Sequence, residues 1–131
     1  MMLPAISVKQ PWSYAILHLG KNIENRTWPL PKRFLHRTIL LHSGKTLDES
    51  AYHWLSLEAG YPLPPASELQ TGGIVGAVVF SGMPPAVNAW ADAELFHWHI
   101  ERFCQLPFHP CPGRLGFFNV DYSFSLPEGW E

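Results

Sequence analysis

One short stretch of the chain, residues 21–28, brings together a lysine, a carboxylate, two carboxamides, an arginine, a hydroxyl and an indole. In an extended chain successive side chains alternate between two faces, so Glu24, Arg26 and Trp28 would share one face. Lys21 would lie on the other face unless the preceding turn swings it round. The pattern predicts the floor of a polar pocket with an aromatic wall. An exposed Glu24–Arg26 ion pair worth about 0–1 kcal/mol is the alternative interpretation.

Positive charge is concentrated in the first third of the chain. Up to position 45 a single carboxylate, Glu24, opposes seven basic residues, whereas Arg102 and Arg114 face ten carboxylates in the remainder. This asymmetry predicts one basic face, the electrostatic footprint of a nucleic-acid partner, unless folding mixes the two halves. The net charge of −2 argues against tight non-specific DNA binding. The seven basic residues are Lys9, Lys21, Arg26, Lys32, Arg33, Arg37 and Lys45.

The composition is that of an ordinary globular domain spanning residues 1–131. A hydrophobic fraction of 47% and a charged fraction of 15% exclude a disordered chain. Thirteen prolines and ten glycines favour short strands over a helical bundle. No signal peptide and no apolar run long enough to span a bilayer is visible, so we expect a cytoplasmic protein with no membrane partner. Cys104 and Cys111 are expected to be reduced.

Hydrophobic spacing predicts an α+β fold built on a small barrel of five to six strands, with two or more helices. A helix is predicted over residues 11–19, and a second from the capping-box pattern at 46–49 to about position 59, with Trp54 facing inward. We expect residues 73–80 to form a central strand buried on both faces, in which Gly76 leaves room for another backbone or a ligand. Further strands are predicted at 5–8, around 23, and at 38–42, 96–103 and 115–121, with a loop at 87–95 and a bend at 106–114.

Histidines at alternate positions of one predicted strand raise the question of a metal. His97 and His99 would share a strand face, with Glu101 and His109 as further candidate ligands. An exposed strand face explains the same pattern, so we predict no metal and no cofactor.

Five stretches taken together resemble the ASCH domain family, relatives of the PUA domain. They are ISVKQPW at 6–12, GKNIENRTWP at 20–29, LHSGK at 41–45, GIVG at 73–76 and GRLGFFNV at 113–120. The resemblance implies a PUA-like β-barrel with helices closing one end. It also implies a cleft where the Lys-x-x-Glu-x-Arg segment meets the first helix, associated in this superfamily with RNA or single, often modified, nucleosides.

The resemblance carries binding roles to particular residues. Lys21, Glu24 and Arg26 are the motif positions, and the neighbours are Gln10, Trp12, Trp28, Ser43 and Lys45. The cations would bind phosphates or a base carbonyl, and Glu24 would accept a hydrogen bond from an exocyclic amine. Trp12 or Trp28 would stack on a base. The partner expected on these grounds is RNA or a modified nucleoside.

A hydrolase is the alternative function. One branch of the family is similar to small amidohydrolases that deacylate a modified cytidine, with a threonine three positions after the motif lysine as the proposed nucleophile. Here Glu24 stands at that position. Glu24 would instead activate water while Lys21 stabilised the oxyanion, in an amidohydrolase or a ribonuclease. That chemistry would be favoured by burial that lowers the pKa of Lys21.

Overall fold

Six strands and two helices form an α+β fold in the computed structural model, which describes residues 1–82 and 88–130. The sheet curls into a half-barrel, so the predicted architecture of a small barrel with two helices is confirmed. Position 87 of the predicted loop and Glu131 lie outside the described residues. The strands are β1 (Met2–Gln10), β2 (Ile23–Arg26), β3 (Thr38–Leu47), β4 (Gly73–Ser81), β5 (Phe96–Pro110) and β6 (Phe117–Asp121). The helices are α1 (Trp12–His18) and α2 (Glu49–His53).

The strands follow the order β2-β5-β4-β3-β1-β6 across the sheet. β1 and β3 pair in parallel, and the other pairs are antiparallel. The central position of β4 and its burial along Gly73–Phe80 confirm the predicted two-sided strand. A Cβ at Gly76 would lie 2.5 Å from the Cys104 carbonyl oxygen and 2.8 Å from Leu17. Glycine is therefore needed there because β5 and α1 approach closely.

Two hydrophobic clusters lie on opposite faces of the sheet, because alternate strand residues point to opposite sides. Ile6, Leu41 and Val78 belong to the cluster that α1 covers through Ile16. The other cluster contains neighbours of these residues in the same strands. It is covered by the C-terminal segment through Tyr122, Leu126 and Trp130.

Several predicted element boundaries were wrong: β1 and β3 extend beyond the predicted 5–8 and 38–42, and two further errors have local causes. The bend expected at 106–114 is largely strand, because β5 continues to Pro110. Between the pairs Ile74–His109 and Gly76–Gln105, three residues of β5 lie opposite one residue of β4, Val75. Pro107 lies in this bulge, where the ladder does not need its missing N–H.

The second error concerns the start and the inner face of α2. Asp48 caps this helix by accepting from the Ala51 N–H, so the helix begins later than the capping-box pattern indicated. The turns at Trp54–Glu58 are π-helical and change the angular spacing of the side chains. Trp54 is consequently 42% exposed rather than buried.

Across the part of the chain that the structure describes, no helix combines the length and apolar character required to cross a bilayer.

Candidate functional site

A cleft of about 820 Å³ opens where β1, β2 and β3 meet the start of α1 and the segment 112–116. We call it the basic cleft, because four cationic side chains and only two carboxylates line it. The cations are Lys9, Arg26, Lys45 and Arg114, and the carboxylates are Glu24 and Asp48. Three of these cations come from the basic first third of the chain, and Arg114 comes from the acidic remainder. Folding therefore gathers positive charge at this cleft, although it also brings in the carboxylate of Asp48 from the acidic part of the chain.

Glu24 lies at the floor of the basic cleft between two cations. One carboxylate oxygen lies 3.3 Å from Lys21 Nζ, and the other accepts from Arg26 Nε at 2.9 Å. Arg26 also donates to the Ser7 carbonyl oxygen at 2.7 Å. Lys21 is 3% exposed and Glu24 7%, so the group is a buried ionic cluster. Glu24 and Arg26 thus lie on one face of the strand, as predicted. Because Glu24 is buried, their contact is not the exposed ion pair of the alternative interpretation.

The turn at the end of α1 brings Lys21 into this cluster. Gly20 has a φ of 77°, a left-handed conformation that glycine adopts without strain. The Lys21 N–H then donates to the Ala15 carbonyl oxygen at 3.1 Å, so the chain folds back beneath the helix end. Lys21 Nζ donates to the Ile23 carbonyl oxygen as well as to Glu24. From strand alternation alone, Lys21 was expected on the face opposite Glu24 unless the preceding turn redirected it. The turn at Gly20 does redirect it.

Burial is the main influence on the charge of Lys21. Removal from water lowers the pKa of Lys21 from its ordinary value, and the attraction of Glu24 opposes this effect only in part. The ammonium also lies 5.6 Å from the centroid of the Trp12 ring. The Lys21 ammonium is therefore poised to lose its proton more readily than an exposed lysine.

Trp12 and Lys45 are the two predicted neighbours that line the basic cleft. Trp12 is half-buried at the first position of α1. Its indole hydrogen bond to Asp48 helps to keep the pKa of that carboxyl low, although the bond from the Ala51 N–H is the larger cause. Lys45 is exposed and packs its stem against Gly72. The structure therefore presents an aromatic ring and an exposed cation to the same space.

The other predicted neighbours lie outside the lining of the cleft. Gln10 donates to the Gln70 carbonyl oxygen at 2.8 Å and accepts from the Tyr14 N–H at 3.0 Å. Ser43 is fully buried and also donates to the Gln70 carbonyl oxygen, at 2.7 Å. Trp28 packs edge-on against Trp98, with 4.7 Å between ring centroids. These contacts hold the loop before β4 and the core in place.

Several residues that line the cleft were not predicted. Lys9 belongs to the predicted basic face, and Ser7 lies two residues before it on β1, so period-2 alternation was the signal that places Ser7 on the same face. His42 comes from β3, and Arg114 from the segment that follows β5. Nothing local to either residue indicates the cleft, because only the assembled sheet brings them there.

A second cleft of about 870 Å³ adjoins the first, and we call it the aromatic cleft. Trp12, Asn25 and Asp48 line both clefts. The aromatic cleft otherwise contains Trp54 and Trp90 with the carboxylates of Glu58 and Asp92, and no lysine or arginine lines it among the described residues.

Two of the histidines considered as metal ligands, His97 and His109, form hydrogen bonds with different partners. A ring nitrogen of His97 lies 2.6 Å from the Asp92 carbonyl oxygen, and His109 Nδ1 lies 2.8 Å from Ser123 Oγ. Within residues 1–82 and 88–130, no three histidine, cysteine, aspartate or glutamate side chains are grouped so that they could hold a metal ion.

Comparison with protein-family models finds no match to this chain, and neither does comparison with curated proteins.

Proposed function

We propose that this chain is an ASCH-type domain that binds RNA or a modified nucleoside in the basic cleft. The observation that carries the proposal is the buried Glu24 carboxylate, held between Lys21 and Arg26 beneath exposed cations. A fixed anion at the floor of a cationic cleft suits a ligand with a hydrogen-bond donor at one end and negative charge at the other. A nucleobase with an exocyclic amine, carried on a phosphodiester chain, has this distribution.

The base would lie between Glu24 and Trp12. Each carboxylate oxygen of Glu24 accepts one hydrogen bond from a cation, and a carboxylate offers about four acceptor positions, so capacity remains for an amine. Trp12 supplies an indole face at the wall of the same cleft. Stacking on an aromatic side chain contributes about 1–3 kcal/mol per base in single-stranded nucleic acid complexes.

Phosphates would contact the rim of the cleft. Lys9, Lys45 and Arg114 are exposed and line it, so their ammonium and guanidinium groups can reach a ligand without leaving water. Contacts of this kind make affinity depend on salt, because each phosphate neutralised releases counterions. A free nucleoside would lack this contribution and would depend on the floor of the cleft alone.

The test is titration of the purified protein with short single-stranded RNA and with a panel of modified ribonucleosides, at several salt concentrations. We expect RNA affinity to fall with salt and to fall further in a Lys45→Ala, Arg114→Ala variant, with the salt slope reduced by about 0.7 for each lost contact. Lys32→Ala, Arg37→Ala is the matched control, because it removes two exposed cations that do not line the cleft. Salt-independent RNA binding, or equal losses in both double variants, would contradict the proposed phosphate path.

Hydrolysis by Lys21 and Glu24 is a second candidate function. The observation that favours it is the burial of Lys21, which lowers the pKa of the amine and places it 3.3 Å from Glu24. Glu24 would take a proton from water, and Lys21 would stabilise the developing oxyanion. Mass spectrometry of acylated ribonucleosides incubated with the protein would detect the product. Activity that disappears in Lys21→Ala and in Glu24→Gln, while binding survives in both, would establish this route.

A further inference from the structure

A serine and a histidine form a hydrogen-bonded pair at the basic cleft. Ser7 Oγ lies 2.9 Å from His42 Nδ1, within the distance expected for a nucleophile and its base. His42 Nε2 lies 2.8 Å from the Cys111 carbonyl oxygen, which can only accept. Nε2 must therefore carry a proton. In the neutral ring Nδ1 is then the acceptor, and the Ser7 hydroxyl donates to it.

The fold holds this pair rigidly. Ser7 and His42 are partners in the parallel pairing of β1 with β3, so their side chains leave the sheet side by side. The His42 side chain is 1% exposed and packs edge-on against Phe118, with 5.6 Å between ring centroids. The imidazole is thus fixed by a backbone carbonyl on one side, by the Ser7 hydroxyl on the other and by an aromatic ring.

Two glycines flank the Ser7 hydroxyl. A Cβ at Gly113 would lie 2.8 Å from His42 Cε1 and 3.2 Å from Ser7 Oγ, and one at Gly44 would lie 3.4 Å from the same oxygen. Neither glycine has a positive φ, so conformation does not require glycine there. What the missing side chains provide is space beside the hydroxyl. Both glycines line the cleft together with Ser7 and His42.

We propose that Ser7 is a nucleophile toward acyl groups, with His42 as its general base. The substrate class is a carboxylic ester or amide carried by the ligand of the basic cleft. The identity of that carrier rests on the proposed function, whereas the reactivity of the pair does not.

The reaction follows from the hydrogen bonds. Ser7 Oγ attacks the acyl carbon while His42 Nδ1 takes the hydroxyl proton. The bond from the acyl carbon to the leaving nitrogen or oxygen breaks, and His42 returns the proton to that atom. Water, deprotonated by His42, then attacks the acyl-serine and releases a carboxylic acid and the free Ser7 hydroxyl. Lys45 and Arg114 line the same cleft and are the cations available to the developing oxyanion.

The experiment treats the whole protein with p-nitrophenyl acetate and with a fluorophosphonate probe, and locates the adduct by peptide mass spectrometry. We expect labelling at Ser7, with the rate falling about 100-fold or more in Ser7→Ala and in His42→Gln. Ser123→Ala is the matched control, because Ser123 Oγ also lies 2.8 Å from a histidine nitrogen but does not line the cleft. This control should label at the wild-type rate.

Ser7→Cys provides a second test in case the other variants fold poorly. We expect the natural thiols to react slowly, because burial raises the pKa of Cys104 and of Cys111. The introduced thiol beside His42 should therefore react with iodoacetamide before either of them. No adduct at Ser7 in the wild type, or equal labelling of Ser7 and Ser123, would overturn the proposal, as would an introduced thiol slower than the natural ones.

Ligand binding is measured on the same samples, so the two proposals fail separately. Labelling at Ser7 without binding of RNA or any nucleoside supports the reactive pair and refutes only the proposed function. Binding without labelling leaves the proposed function standing and overturns the reactive pair.

Discussion

The two adjoining clefts share a wall but differ in charge and in how firmly their side chains are held. In the basic cleft, Glu24 and Arg26 are fixed by hydrogen bonds in a buried cluster. In the aromatic cleft, Trp54 is 42% and Leu57 is 77% exposed. A phosphate would be attracted to the first cleft and repelled by the carboxylates of the second. Trp12, Asn25 and Asp48 form the wall that the two clefts share. If the proposed ligand binds here, we expect a base to stack on Trp12 in this wall and the phosphates of the ligand to lie in the basic cleft.

The largest expected effect comes from removing the carboxylate of the ionic cluster. Glu24→Gln leaves the buried Lys21 ammonium without its counter-charge, and we expect the free energy of unfolding to fall by about 3–5 kcal/mol. Urea denaturation measures the loss. Glu58→Gln, which removes an exposed carboxylate of the aromatic cleft, should change stability by less than about 0.5 kcal/mol. Similarly small losses of unfolding free energy in Glu24→Gln and Glu58→Gln would mean that the negative charge of Glu24 is not needed to stabilise the buried ionic cluster.

Lys21→Met should cost less than Glu24→Gln, because Arg26 still pairs with Glu24. The distinctive result is its pH dependence. Burial lowers the pKa of Lys21 in the folded protein below its ordinary 10.5, so the unfolded chain binds more protons between these two values. The free energy of unfolding of the wild type should therefore rise with pH across this window, relative to the variant. Parallel pH profiles of the two proteins, by urea denaturation, would contradict the lowered pKa.

The next effect in size tests the shared wall. Trp12→Ala should weaken binding of RNA or nucleoside by about 1–3 kcal/mol, because a stacking face of the basic cleft is lost. Trp12→Phe should recover part of this energy. Trp54→Ala removes an indole that lines only the aromatic cleft and should leave affinity nearly unchanged. Isothermal titration of the three variants makes the comparison, and an equal loss in Trp54→Ala would place the base in the aromatic cleft instead.

Local pattern was enough to predict the elements and the ionic motif, but not the partners that distant segments supply. The apolar run of β4 predicted its burial, and strand alternation placed Glu24 beside Arg26. Ser7 and His42 are 35 residues apart and meet only because β1 pairs in parallel with β3. Their pairing is a property of the assembled sheet and leaves no signal in either stretch.

Gln10 and Ser43 show the same limit from the opposite side. Both were predicted as ligand contacts from the resemblance, and their binding roles remain predictions. Both donate to the carbonyl oxygen of Gln70, 60 and 27 residues away along the chain. The sequence shows only which residues lie near these side chains along the chain, whereas the fold decides which groups they contact. Nothing in the sequence around either residue indicates that its side chain already donates to a backbone carbonyl oxygen.

The smallest of these effects concerns Asp48, which lines both clefts and caps α2. Asp48→Ala should lower the free energy of unfolding by about 0.5–2 kcal/mol, because the Ala51 N–H loses its acceptor. That bond is the first cause of the lowered pKa of Asp48, and it is stronger to the ionised carboxylate than to the neutral carboxyl. The difference between wild type and variant should thus be full above the ordinary value of 3.8 and should shrink as pH falls through the lower folded value. Asp48→Asn keeps an oxygen that can accept from the Ala51 N–H, so its free energy of unfolding should fall less than that of Asp48→Ala. Equal losses in the two variants would show that the charge of Asp48, and not the capping hydrogen bond, provides the stability.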